Sequence, residues 1–200
     1  MKKPDKKNPV LRRLRELYAR MDESYTASAK AIGLSCQDCA DSCCETLFRH
    51  HTYAEWTELA LGFAALPPAR QQEIRQQAET YLRIHGGALP GTRPRVPCPL
   101  CVHTDHGLAC GLYEHRPMVC RLHGVPNLLT RPGGQQSAFP GCDRAQQLAK
   151  TCDPALLDRT PLLAELARIE MDFVGRARMG RLPRVDMTIA EMLLMGPPKL

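Results

Sequence analysis

Four of the chain's ten cysteines, Cys36, Cys39, Cys43 and Cys44, fall within nine residues, in the stretch CQDCADSCC. Packing does not ask for that density, because Ala or Val fills a small core site without a reactive sulfur. A two-residue gap, as between Cys36 and Cys39, lets one turn of backbone offer two thiolates to a soft ion. A second region, residues 98 to 124, repeats the gap with Cys98 and Cys101. It adds Cys110 and Cys120 at longer intervals, and Cys142 and Cys152 lie beyond it. All seven histidines fall between residues 50 and 123. His50 and His51 stand just ahead of an expected helix, and read either as ligands or as exposed polar residues at its entrance.

Ten cysteines admit disulfides or metal. Disulfides need an oxidising compartment. The N-terminal stretch MKKPDKKNPV has basic residues with no apolar segment behind it, and no run of eighteen apolar residues follows. The expectation is a cytoplasmic protein that spans no membrane and uses its cysteines for metal. An all-thiolate shell suits Zn²⁺ or an iron–sulfur cluster. The neighbours Cys43 and Cys44 would point about 100° apart on a helix, so the two do not grip one ion alike. The number of candidate thiolates also exceeds the need of one Zn²⁺. The spacing does not match the ferredoxin run C-x2-C-x2-C-x3-C-P. Four thiolates around Zn²⁺ leave a double negative charge. Arg116 and Arg121 are candidates to offset it, the alternative for both being surface ion pairs.

The elements that must position these residues read as mainly α. Asn8 and Pro9 form a helix start, and Val10, Leu11, Leu14, Leu17, Tyr18, Met21 and Tyr25 recur at three and four. That helix is expected to reach about Ala31 and stop at Gly33. Cys36 and Cys39 belong on a turn. Cys43 and Cys44 are expected to open a short helix, capped by Asp41 or Ser42 and continued through Phe48. Thr52 with Glu55 fits a capping box for a helix burying Trp56, Leu59, Ala60 and Phe63. A polar helix over 68 to 84 should face Ile74, Ala78, Tyr81, Leu82 and Ile84 inward. After a loop over 86 to 97, Leu112 and Tyr113 read as a short extended piece, and Pro117 as the first turn of a helix presenting Cys120. Residues 124 to 141 read as a Gly-rich linker, and 143 to 150 as a turn or helix. Thr160-Pro161 starts a helix with Leu162, Leu163, Leu166, Ile169, Phe173 and Val174 on its apolar face, ending around Gly180. A last helix covers about 188 to 195. The expected fold is therefore helices flanking a loop-rich cysteine core organised by metal. Its parts are a basic amphipathic helix (1–33), a cysteine-cluster domain (34–152) and C-terminal helices packing on it (153–200).

The net charge of +6 does not describe a nucleic-acid surface. Residues 1 to 30 carry nine basic against four acidic side chains, a net of +5, so the rest of the chain contributes +1. The basicity is an arm and one helix face, which argues against nucleic acid and leaves room for a protein partner.

With both cysteine regions in view, the chain resembles a bacterial cysteine-cluster family named for its CxxCxxCC motif, the YkgJ-like proteins, described as a zinc- or iron-chelating domain. That family pairs its first cluster with a later stretch containing a Tyr-Glu-x-Arg-Pro-x-x-Cys-Arg anchor. Here the stretch reads Cys110-Gly111-Leu112-Tyr113-Glu114-His115-Arg116-Pro117-Met118-Val119-Cys120-Arg121. The resemblance covers residues 34 to 145. It implies Cys36, Cys39, Cys43, Cys44, Cys110, Cys120 and Cys142 as ligands of zinc or an iron–sulfur cluster, with Cys98 or Cys101 as the eighth and Cys152 surplus. The chain departs from the pattern in placing three residues, Ala40, Asp41 and Ser42, between Cys39 and Cys43 where the family has two. Members labelled flagellin lysine N-methylase or iron–sulfur oxidoreductase imply a cluster-assisted protein N-methyltransferase or a redox enzyme as alternatives. No Gly-rich cofactor loop or placed acid–base pair accompanies them here. A further alternative is an adaptor that binds a partner through its N-terminal helix around a structural metal.

Overall fold

Asn8 starts the first helix, α1 (Pro9–Ala31), by accepting the Val10 amide on its side chain at 2.9 Å. Gly33, at φ 67°, takes the left-handed conformation that ends it. The computed structural model describes residues 8–37, 39, 43–87, 96–152 and 155–200, with Cys43 through its backbone alone. The expected Asp41 or Ser42 cap and most of the 86–97 loop lie outside the described residues. α2 (Tyr53–Ala64) is capped by Thr52, whose side chain accepts the Glu55 amide. Proline starts α3 (Pro68–His85). Two short strands follow, β1 (Cys101–Thr104) and β2 (Gly107–Cys110), paired antiparallel with Cys101 opposite Cys110. Then come the one-turn helix α4 (Met118–Leu122), an antiparallel pair β3 (Asn127–Thr130) and β4 (Gln136–Phe139), and α5 (Asp143–Ala149). β5 (Leu157–Asp158) joins β3 in parallel, giving the order β4-β3-β5. The chain closes with α6 (Thr160–Val174), α7 (Arg176–Met179) and α8 (Ile189–Met195). Among the described residues the architecture is mainly α, with strands of two to four residues.

The α1 stripe of Leu11, Leu14, Leu17, Tyr18 and Met21 is buried with Met118 and Leu122 of α4 and Leu162, Leu166 and Ile169 of α6. A second core joins Trp56, Leu59 and Phe63 of α2 to Ile74 of α3 and to Met192 and Leu193 of α8. Cys98, Cys110 and Cys120 pack against its edge. Two buried carboxylates fix the helices to one another. Glu170 of α6 accepts the amides of Tyr53 and Ala54 at 2.8 and 2.9 Å, occupying the orphan donors at the start of α2. Glu55 of α2 in turn accepts the Met118 amide at 2.7 Å and so holds the start of α4. The thiol of Cys120 is therefore positioned by a relay that begins in the C-terminal third of the chain.

Several local expectations are corrected. The turn at Cys43–Glu45 is a single 3-10 turn and does not continue to Phe48; Leu47 leaves it to enter the core. Leu112 and Tyr113 are not extended: Tyr113–His115 is another 3-10 turn. Pro117 is the cap residue of α4 rather than its first helical position. Residues 124 to 141 hold the β3–β4 hairpin, whose strands have too little alternating apolar pattern to be read in advance. Ile84 and Leu163 are exposed, because each lies about 100° round its helix from the buried neighbours His85 and Leu162. The long C-terminal helix breaks at Gly175, at φ 83°.

Candidate functional site

The β1–β2 hairpin is the scaffold of the cysteine region. The Cys101 amide donates to the Cys98 carbonyl at 2.9 Å, closing a turn that sets both side chains at the hairpin's base. The Cys98 amide donates to the Cys44 carbonyl at 2.9 Å, which ties the 3-10 turn to the hairpin. Gly111 follows Cys110 and donates to the Leu100 carbonyl at 2.7 Å. A Cβ there would stand 3.0 Å from that same oxygen, so the return strand needs a glycine for its close approach. Cys36, Cys44, Cys98, Cys101, Cys110 and Cys120 all line one cavity of about 290 Å³, with Leu59, Leu100 and Ile189 among its apolar walls.

Three thiols in this cavity, Cys101, Cys110 and Cys120, are pushed up from the ordinary thiol value. Hydrogen bonds to Cys44 and to Cys98 push Cys101 far up, with burial adding to them. Burial and the charges of Cys98 and Cys44 push Cys110 up to about 12, against the pull of Arg116. Cys120 is raised well above the ordinary thiol value, first by burial and then by Cys98, Cys110 and Cys44. Nucleophilic cysteine chemistry requires the opposite, a lowered value in electropositive surroundings. Crowded, buried thiols of this kind become thiolates when a cation supplies the missing charge.

The two arginines differ from each other. Arg121 is buried, and its guanidinium is spent on protein partners: Asp22, the Glu114 carbonyl and the Arg116 carbonyl, beneath a contact with the Tyr18 ring at 4.0 Å. It bonds α1 to the Tyr113–His115 turn and is neither a donor to the thiols nor a surface ion pair. Arg116 lies 3.4 Å over the Tyr113 ring and makes the ion pair expected as its alternative, with Asp22 at 3.4 Å; its charge also reaches Cys110 and Cys120.

A second set of thiols adjoins the cavity through Cys36. Cys36 and Cys39 share a turn, with the Cys39 amide 3.4 Å from the Cys36 carbonyl. The charges reaching Cys142 are those of Cys36 and Cys39, secondary to burial in raising its thiol. Arg144 donates to the Gln37 carbonyl at 3.2 Å, and the Tyr25 hydroxyl is 3.5 Å from the Cys36 sulfur. Of the nine expected ligands, Cys36, Cys44, Cys98, Cys101, Cys110 and Cys120 line the cavity, and Cys39 and Cys142 neighbour Cys36 beside α5. The side chain of Cys43 lies outside the described residues. Cys152 is exposed, near the Leu148 carbonyl. Nine cysteines are described and none of them is in a disulfide. Among the described residues no group of three or more His, Cys, Asp or Glu side chains closes tightly enough to hold an ion. The donor set therefore fits a soft ion in its chemistry, while its spacing is more open than a filled coordination shell.

The cavity is also lined by His50, one of the two histidines read as ligands or exposed residues, and by Thr46, which the sequence does not single out. His50 is 1% exposed, and neither ring nitrogen has a hydrogen-bond partner among the described residues. Among them the buried hydroxyl of Thr46 is likewise without one. His51, read in parallel with His50, is instead exposed beside Asp186. The two side chains differ because His50 pairs its backbone with Met187, at 2.8 and 3.1 Å, which turns its ring inward. That pairing spans most of the chain and leaves no mark in the local sequence. Compared with protein-family models, curated proteins and solved structures, the chain finds no match in any of the three. Among the described residues no helix is long and apolar enough to cross a membrane.

Proposed function

We propose that this protein is a metal-chelating protein that binds zinc or an iron–sulfur cluster through cysteines from both sequence regions. The resemblance to the CxxCxxCC family is part of the same proposal. The observation that carries it is the cavity. Six cysteines separated by as many as 84 positions in the chain line one cavity, and Cys101 hydrogen-bonds both Cys44 and Cys98. Half-buried thiols this close repel one another as thiolates. A soft cation accounts for their assembly. Cys44, Cys98, Cys101, Cys110 and Cys120 are the residues that would hold it, with Arg116 offsetting excess negative charge. Zinc would supply a structural crosslink there, and a cluster would supply an electron-transfer centre. The chain's own contribution is to bring the 3-10 turn, the hairpin and α4 together and to keep water from the thiols.

Anaerobic purification followed by elemental analysis and a visible spectrum tests the reading. Stoichiometric zinc in a colourless protein selects zinc over a cluster, and iron with inorganic sulfide and a visible band selects the cluster. A folded protein with reduced thiols that retains and rebinds neither overturns the proposal. Cys101→Ser is expected to abolish binding at the cavity, whereas Cys152→Ser should leave metal content unchanged.

The adaptor alternative is narrowed by one observation. The apolar stripe of α1 is consumed within this chain, so a partner of that helix has only its charged face to recognise.

A further inference from the structure

Residues 98 to 101 form a turn whose backbone already suits a disulfide. The Cys101 amide donates to the Cys98 carbonyl at 2.9 Å, so the four residues close as a β-turn with its end Cα atoms less than about 7 Å apart. A disulfide asks for roughly 4.4–6.8 Å between those atoms. Pro99 presets the backbone at the second position of the turn. Leu100, at the third, is buried, and its carbonyl accepts the Gly111 amide at 2.7 Å. The turn is thus pinned to the core on one side and to the hairpin on the other. On this backbone the thiols of Cys98 and Cys101 hydrogen-bond one another. Both cysteines are half-buried and free, and both line the cavity. The other pair with a two-residue gap is looser, its Cys39 amide lying 3.4 Å from the Cys36 carbonyl.

We propose that Cys98 and Cys101 are a redox-modification site, closing to a reversible disulfide by exchange with a low-molecular-weight disulfide such as oxidised glutathione. The inference goes beyond the metal-chelating reading and needs no ion. In the first step Cys98 loses its proton and its sulfur attacks one sulfur of the oxidant. The oxidant's S–S bond breaks, one thiol leaves and takes up a proton, and Cys98 holds a mixed disulfide. Cys101 then loses its proton, its sulfur attacks that of Cys98, and the second thiol leaves and is protonated. Two S–H bonds of the protein are exchanged for one S–S bond, and the S–S bond of the oxidant for two S–H bonds. The protein gives up two electrons and two protons, and the oxidant takes them. The first attack is assigned to Cys98 because Cys101 holds its proton tightly, and such thiols are poor nucleophiles. Closure is therefore expected over minutes to hours, as a stored modification rather than a catalytic turnover.

The test uses the full-length wild-type protein, reduced, stripped of metal with a chelator and equilibrated anaerobically in mixtures of reduced and oxidised glutathione. Remaining thiols are alkylated and the chain is mapped by mass spectrometry. The expected result is the loss of two alkylatable thiols in the oxidising mixture, mapped to a Cys98–Cys101 bond and restored by excess reduced glutathione. Cys152→Ser should close the same bond. Finding all ten thiols still alkylatable after a day in oxidised glutathione would overturn the inference. So would a bond that excess reduced glutathione does not reopen, or a first bond mapped to Cys44–Cys101 or to Cys101 and its cross-strand partner Cys110. Because the wild type itself is read, the outcome does not depend on a variant folding. Zinc titration of the same metal-free protein reports separately on the other reading. Failure to bind zinc or rebuild a cluster there would overturn the metal-chelating proposal and leave a mapped disulfide standing.

Discussion

Gly62, in the middle of α2, shows how single residues constrain this structure. A Cβ at that position would overlap the ring of His115, with Nε2 only 2.9 Å away. The ring is held there by Glu58, whose carboxylate lies 2.9 Å from His115 Nδ1 and also accepts from Arg15 at 2.8 and 3.0 Å. Gly62→Ala is therefore expected to lose about 1–3 kcal/mol in urea unfolding despite the better helix propensity of alanine. The loss should shrink in the His115→Ala background, where the clash is gone. Glu58 also sets a pH dependence. Burial pushes its carboxyl up, but hydrogen bonds from His115 and Arg15 and the charge of Arg15 outweigh burial and hold it below the ordinary value. A depressed carboxyl contributes stability that is present above its unfolded value, about 4.5, and is lost as pH falls through the folded value. Wild type should lose this contribution below about pH 4.5. Glu58→Gln should be less stable at neutral pH, by on the order of 2 kcal/mol, and show a shallower acid limb in denaturation midpoints measured against pH.

At the scale of elements, buried carboxylates add to the local Thr52 cap of α2 and stand in for one at α4, which has no side-chain cap. α6 holds the start of α2 through Glu170, and α2 holds the start of α4 through Glu55. Both carboxyls are raised by burial, although the amides they accept pull them down. Glu170→Ala leaves the Tyr53 and Ala54 amides buried without acceptors, and is expected to destabilise by on the order of 2 kcal/mol in thermal or urea unfolding. Glu170→Gln keeps an acceptor oxygen and should cost less. An equal loss in the two variants would mean that the charge, rather than the acceptor, holds the helix. The Thr188–Glu191 capping box of α8 is a local device of the opposite kind, complete within four residues. It was legible from sequence alone only as the start of a helix.

For the whole molecule, α1 is part of the core and not an appendage to it. Arg13 and Arg20 pair with Asp172 and Glu165 of α6 along its flank, while its apolar stripe packs beneath them. Removing residues 1 to 33 is expected to abolish cooperative unfolding rather than release an intact cysteine domain. A sharp transition in the truncated chain would show that α1 is dispensable. Metal should couple to this same global equilibrium. Under the metal-chelating proposal, zinc in excess raises the melting temperature and a chelator lowers it, by the amount that binding to the native state alone requires.

Helix periods, proline starts, glycine stops and the Thr52 cap are short-range properties, and they located α1, α2, α3 and α6 from residue order. The density and spacing of Cys36 to Cys44 and of Cys98 to Cys101 equally pointed to sulfur chemistry before any coordinates. What residue order left open was decided by segments distant in the chain meeting in space. Cys44 joins the hairpin base through the Cys98 amide, whereas Cys36, also at the cavity, shares a turn with Cys39 that is tied to α5. His50 and His51 are equivalent in composition and neighbours in sequence. A backbone bridge to Met187, 137 residues away, turns one into the cavity and leaves the other beside Asp186 at the surface. Periodicity and capping are decided within a few residues, but which side of a loop faces a cavity depends on the packing of everything around it.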